Sequence, residues 1–271
     1  MDRIPGLFIG LGALSLFFWL IETLFAANPA QPRLIKRRGF RTDLVYWFAT
    51  PLLTKSVTTV GLVVILALIY RREPAAIGEL LETRDTWLAS LPAWIQVPAM
   101  LLVGDLVAYW VHRAFHHGRL WPFHAVHHSS RDLDWLSSVR LHPVNDWLGR
   151  WIQATTLVLL GFAPLAVAAY VPFLTLYAIM LHANLSWGFG PLGSIIASPK
   201  FHRWHHTSED EGLDRNFAGL FPVWDRIFGT HYMPEGRLPE VFGLKGEVVP
   251  ESFLAQLVYP FRHRQRQRNS S

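Results

Sequence analysis

Four long apolar stretches limit what this 271-residue chain can fold into. Residues 4–26 carry a single charge, Glu22; residues 56–70 carry none, and the apolar run reaches back past Lys55 to Leu44. Residues 95–111 carry only Asp105, and residues 151–181 carry no charge at all. A bilayer crossing takes roughly 20 apolar residues, and within hydrocarbon a single segment closes its own backbone hydrogen bonds only as a helix. The composition agrees: 17% of residues are charged and 51% hydrophobic, where soluble domains carry about 25% charged. The expected fold is all-α, a polytopic helical membrane protein of about four to five spans, forming one integral membrane domain over residues 1–271.

The spans are expected near 4–26, 44–70, 95–111 and 148–188. The first run is longer than the apolar core of a signal peptide and only Arg3 precedes it, so it reads as a retained span, although Ala26-Ala27 resembles a cleavage site. Arg33, Lys36, Arg37, Arg38 and Arg41 follow it and place that loop in the cytoplasm, against weaker opposition from Arg71 and Arg72. Residues 79–96 mix Leu, Trp87 and Trp94 with charges, the pattern of an interfacial helix. Residues 148–188 leave and re-enter the same face as a helical hairpin turning near Gly161 to Pro164. Residues 112–147 and 190–271 then form a cytoplasmic helical cap, ending in a basic tail, Arg262 to Arg268, that reads as surface-bound or disordered.

Nine of the 13 histidines crowd into residues 112–128 and 202–206. His112 and His116 are four apart; His124-x-x-His127-His128 and His202-x-x-His205-His206 repeat one pattern. On a helix, positions i, i+3 and i+4 share a face, so each triplet is expected to point three imidazoles one way. These eight rings are too many for one ion and suit a pair with open positions. Neutral nitrogen ligands would leave that pair highly charged, which suits redox iron that binds and reduces dioxygen. Asp105 lies two turns before His112 inside an apolar span, where an ionisable group is functional by default, and is expected to orient a ring through its other N–H.

The remaining histidines leave alternatives open. His182 is either a ligand or a hydrogen-bonded core residue; His117 and His142 are either ligands or surface and helix-end groups. His231 and His263 look ordinary, and Asn216 and Asp225 either brace the cap or cap its turns. The absence of cysteine removes disulfides, thiolate-bound haem and iron–sulfur clusters from this chain. The net charge of +5 fits basic loops beside anionic headgroups, and no nucleic-acid-binding motif is present.

The chain resembles the fatty acid hydroxylase and sterol desaturase superfamily of membrane-bound, histidine-rich di-iron oxygenases. The resemblance rests on Asp105, Tyr109-Trp110, His112-Arg113-x-x-His116 and Trp121-x-Phe123-His124-x-x-His127-His128-Ser129. It continues through Arg140-Leu-His142-Pro143, His182-x-Asn184, His202-Arg-x-His205-His206, Asn216-Phe217 and Trp224-Asp225-Arg226-x-Phe228-Gly229-Thr230. The resemblance implies metal ligation by His112, His116, His124, His127, His128, His182, His202, His205 and His206, with Asp105 and Asn184 in catalytic roles. It implies two iron ions, replaced by zinc when recombinant expression mis-metallates the site, and dioxygen-dependent oxidation of an unactivated C–H bond in a sterol-like or acyl/ether membrane lipid. Hydroxylation is favoured over desaturation, since oxygen rebound needs one well-placed C–H bond and desaturation needs two. Electrons would come from a separate ferredoxin, cytochrome or reductase, and the membrane would be a bacterial inner membrane or endoplasmic reticulum.

Two readings from other classes stand beside this one. A histidine-lined metal transporter would carry its rings along a pore at the midplane, whereas these sit at span ends. A non-catalytic lipid-binding scaffold would lack some of these histidines.

Overall fold

The computed structural model describes residues 4–269, with side-chain positions through Arg262; His263 and the rest of the basic tail therefore lie outside the described side chains. Among the described residues ten α-helices follow one another: α1 (Ile4–Phe25), α2 (Phe40–Tyr70), α3 (Ile77–Thr83), α4 (Ala93–Phe115), α5 (Trp121–His128), α6 (Pro143–Leu160), α7 (Pro164–His182), α8 (Pro199–His205), α9 (Val223–Ile227) and α10 (Phe253–Asn269). Short 3-10 turns join some of them, and among the described residues the only extended pairings are single bridges, Ala26 to Leu185 and Thr207 to Phe242.

Four helices, α1, α2, α4 and α7, are long and apolar enough to cross a membrane. Their lipid-type surface is exposed: Phe8, Ile9, Leu24, Val60, Leu68, Leu165 and Leu176 all stand clear of the protein. The hairpin turns where expected, with Gly161 left-handed at φ 98° ending α6 and Pro164 opening α7. Its first arm begins at Pro143, earlier than expected, because Pro143 takes the first helical position and the His142 ring caps Val144 N–H at 3.2 Å. That arm carries Asn145, Asp146, Arg150 and Gln153 and is not among the four span candidates. The interfacial helix is also shorter than expected: α3 stops at Thr83, and Gln96 already belongs to α4.

Contacts fix which helix ends lie together. At one end, the backbone of Ala27 bonds Asn184 O at 3.1 Å, and Ser186 bonds Phe25 O at 2.9 Å, joining the exits of α1 and α7. At the other, Arg84 reaches the Tyr70 hydroxyl (2.8 Å) and the Val158 carbonyl (2.7 Å), joining α2, the α3–α4 link and α6. The first end therefore gathers the exits of α1, α4 and α7 with the entrances of α2 and α6, and it carries the cap.

Two glycines set the bundle spacing. A Cβ at Gly61 of α2 would collide with the Trp151 indole of α6, whose Nε1 donates to Thr58 O at 3.0 Å. A Cβ at Gly104 of α4 would run into the Tyr170 ring of α7. Both positions let large rings from the hairpin seat against helix backbone, the close approach that glycine permits.

A buried ionic layer seals the seam between bundle and cap. Arg37, 4% exposed, pairs with Asp43 (2.7 Å) and Asp134, and Arg140 pairs with the same Asp43. Arg37 is thus a structural cation and not one of the free headgroup-facing charges expected of its loop. Burial raises the Asp134 carboxyl, with Arg37 opposing that rise. Arg203 is fully buried, its guanidinium drawn down to about 10 by burial and resting over the Phe242 ring.

Candidate metal centre

The nine histidines expected as ligands converge in two groups: His112, His116, His124, His128 and His205, then His127, His182, His202 and His206. Within each group the ligand nitrogens lie within 4.8 Å of one another. The groups share a wall, where the His128 and His206 rings stack with centroids 4.4 Å apart.

The two triplets do not send all three rings to one place. In α5, His124 and His128 enter the first group and His127 the second; in α8, His202 and its C-cap neighbour His206 enter the second and His205 the first. The reason is helical geometry: at about 100° per residue, i and i+4 diverge by only about 40°, while i+3 lies about 100° from i+4. Each triplet therefore straddles both groups, and the two triplets do so in opposite senses.

The rings are held from behind. Nδ1 of His112 donates to Phe217 O (2.8 Å), His127 to Arg140 O (3.0 Å), His182 to Ala178 O (2.7 Å) and His205 to Arg215 O (2.8 Å). His124 Nδ1 donates to Asn145 Oδ1 at 2.7 Å and His116 Nδ1 to Asp214 Oδ1 at 2.9 Å. A carbonyl oxygen only accepts, so these bonds place the proton on Nδ1 and leave Nε2 as a bare lone pair. Burial lowers the ring pKa of His116, His124, His127, His128, His202, His205 and His206 well below the usual value, so the set stays neutral.

Those bare nitrogens face one another. His112 and His124 bring Nε2 atoms to 3.0 Å, as do His127 and His182. Facing lone pairs at that distance repel, and a shared cation turns the repulsion into attraction. His116 Nε2 and His205 Nε2 are buried without any partner, as ligand atoms awaiting an ion would be. The donor set thus fits two cations, and no carboxylate belongs to either group among the described residues.

The other expected residues lie elsewhere. Asp105 bonds no histidine; its carboxylate accepts the backbone N–H of Gly219 (3.1 Å), Leu220 (2.8 Å) and Phe221 (2.8 Å). Asp225 does the same for Phe217 (2.7 Å) and Ala218 (2.9 Å), so both acids brace the loop whose Phe217 carbonyl orients His112. Asn216, left-handed at φ 57°, ties that loop to Phe201 O and Tyr232 O. Asn184 clamps Asn28 through both its amide atoms at 2.9 Å and meets Glu22 through its backbone N–H, so it joins α7 to the α1–α2 loop. Its contacts are structural, not with the histidine groups. His142 caps α6 and donates to Leu257 O at 3.1 Å, while His117 is exposed and His231 packs on Phe201; none of the three joins a group.

Several supporting groups escape a reading of the sequence. Asp214 and Asn145, the side chains behind His116 and His124, lie 98 and 21 residues from the rings they hold. The carbonyls of Ala178, Arg140, Arg215 and Phe217 carry no residue-type signal at all.

Four span-length apolar helices that gather nine imidazoles into two adjoining groups at one end define a multi-pass membrane protein with a histidine-rich site able to hold metal. The fatty acid hydroxylase family model matches residues 97–230, just under half of the chain, and that segment holds all nine of these histidines. The chain is similar to ornithine lipid hydroxylase OlsE of Rhizobium tropici, 32% identical over 182 residues, covering 66% of this chain and 54% of that protein. It is also similar to alkylglycerol monooxygenase of Danio rerio, 38% identical over 144 residues, 53% of this chain and 31% of that protein. A third relative is very-long-chain aldehyde decarbonylase CER1 of Arabidopsis thaliana, 28% identical over 159 residues, 52% of this chain and 25% of that protein. The match thus spans about half of the first of these relatives and a third or less of the others. No solved structure matches the chain.

Proposed function

We propose that this protein is an iron-dependent lipid hydroxylase, with one ion in each histidine group and a membrane-resident lipid as substrate. The observation that carries the proposal is the set of bare, buried Nε2 atoms converging at one end of four apolar spans. When bound, the iron pair would supply the reduction of dioxygen and the oxidation of a C–H bond. The chain's own residues do the rest. Six Nδ1 bonds lock ring tautomer and orientation, and burial keeps water from the nitrogens. The placement of His112 in the last turn of α4 and His182 at the end of α7 sets the site at the level where a lipid chain emerges from the bilayer.

The names of two relatives, a lipid hydroxylase and a monooxygenase of alkylglycerols, support oxygen insertion on an acyl or ether lipid. Electrons come from a separate ferredoxin, cytochrome or reductase, and the cap faces the cytoplasm with Arg33, Lys36 and Arg41. The position of the groups at span ends disfavours a metal-conducting pore, whose ligands would line the midplane. The complete convergence of all nine rings disfavours a degenerate lipid-binding scaffold.

The test is lipid profiling of cells with and without the protein under labelled dioxygen, with a competent electron donor present. One labelled oxygen atom in a lipid product is the expected result. An unlabelled product lacking two hydrogens would make the protein a desaturase. No lipid change with the metal pair intact would overturn the enzymatic reading.

A further inference from the structure

Helix α10 has two unlike faces. Gln256 (1% exposed) and Tyr259 (9%) point into the protein, whereas Leu254 (72%), Val258 (43%) and Phe261 (51%) are exposed. The exposed three fall at i, i+4 and i+7, one stripe on the side opposite the buried pair. Beyond them the sequence adds Arg262, Arg264, Arg266 and Arg268, with no acidic residue after Glu251. An apolar stripe running into a dense cationic end is the composition of a helix that lies in a bilayer surface.

The helix also sits at the right height. Phe253 packs edge-on against Tyr46, in the second turn of α2, with centroids 4.8 Å apart. The Leu257 carbonyl accepts from His142, the residue that caps the start of α6. Phe261 packs on Phe123 of the histidine-bearing α5. The helix therefore crosses the cap-side ends of α2 and α6, where the spans leave the hydrocarbon, and covers the back of α5.

The geometry points to α10 as an in-plane membrane anchor: its Leu254, Val258 and Phe261 stripe inserts among acyl chains, and its arginine-rich end binds anionic phospholipid headgroups. Each basic residue near an anionic surface adds to the attraction, and the effect fades within a Debye length. The anchor presses the cap against the bilayer from the α5 side and so fixes the height of the metal groups above the lipid. It does not depend on which reaction the site performs.

Because the chain has no cysteine, single cysteines at Leu254, Val258 and Phe261 give clean spin-label sites in the full protein. Val60, exposed midway along α2, reports span insertion, and Glu240, exposed on the cap, reports the aqueous phase. The proteins are placed in nanodiscs of phosphatidylcholine alone or with phosphatidylglycerol, and collisions with oxygen and with a water-soluble nickel chelate are compared. The stripe labels are expected to fall between Glu240 and Val60 in accessibility, deeper with phosphatidylglycerol, and to lose that dependence when the four arginines become glutamine. Nickel accessibility matching Glu240 overturns the anchor while Val60 still certifies the spans. Depth unchanged by phosphatidylglycerol overturns the headgroup part. Labels that become protected only when an acidic electron carrier is added would make α10 a protein-docking face and overturn the proposal.

Discussion

The two histidine groups sit wall to wall yet hang from different parts of the molecule. The first, with five rings, leans mostly on the cap: Arg215 and Phe217 carbonyls hold His205 and His112, and the exposed Asp214 holds His116, while only His124 reaches back to Asn145 of α6. The second, with four rings, leans on the bundle. Its His127 bonds the carbonyl of Arg140, which is anchored to Asp43 in α2, and its His182 ends α7 beside the Asn184–Asn28 clamp. An ion with fewer protein ligands keeps more open positions, so an ion held by the four-ring group would have more room for reactants than one held by the five-ring group. A lesion in one support should therefore reach one group before the other.

The largest effect is expected in the ionic layer. Asp43 is wholly buried between Arg37 and Arg140, and Asp43→Ala leaves two buried guanidinium groups short of their counter-ion. Breaking a buried pair in this way costs about 3–5 kcal/mol. Thermal unfolding in detergent should show that loss, with the second group releasing its ion first. Unchanged stability would show that the layer is not what holds the second group.

A smaller effect is expected from Asp225→Ala, which frees the Phe217 and Ala218 N–H groups and loosens the loop behind His112. Loss of a supporting shell weakens metal binding roughly 10–100-fold. Chelator competition should show that weakening in the first group alone. Equal weakening of both ions would merge the two supports into one.

The smallest effect belongs to Asp132, paired at 2.6 Å with an Arg38 side chain that is 61% exposed. Such pairs are worth below about 1 kcal/mol, so Asp132→Asn should shift the melting temperature slightly and leave both ions in place. Burial pushes the Asp132 carboxyl up, but its bonds and attraction to Arg38 outweigh that and the net shift is downward. The contribution is therefore present above the unfolded carboxylate value of about 3.9 and disappears as pH falls through the lower folded value. The difference between wild type and variant should close over that acid range; a gap that widens there would contradict the sign.

Much of the fold is legible in the sequence because bilayer physics writes in long runs. The α1 and α2 spans, the hairpin turn at Gly161 and Pro164, and the convergence of the histidine boxes follow from charge-free length and from helical spacing. The partition of those boxes between two groups is less visible, since i, i+3 and i+4 share a face only loosely and the choice depends on how α5 and α8 confront each other. Roles for Asp105 and Asn184 were legible as importance and not as contact. Both are buried polar groups in apolar surroundings, and only tertiary structure shows that their partners are backbone atoms of the 219–221 loop and of Asn28. Arg37 illustrates the converse: a charge next to a span reads as headgroup-facing, and burial between two aspartates is invisible without the fold.

The central claim is that each histidine triplet serves both ions, and metal content under a fixed chelator challenge tests it directly. His205 belongs to the first group and His202 to the second, although they stand three residues apart in one triplet. Wild-type protein should keep two ions per chain, His205→Ala and His202→Ala should each keep one, and the double variant should keep neither. Retention of one ion by the double variant would mean that both histidines serve the same ion, and would contradict the crossed arrangement.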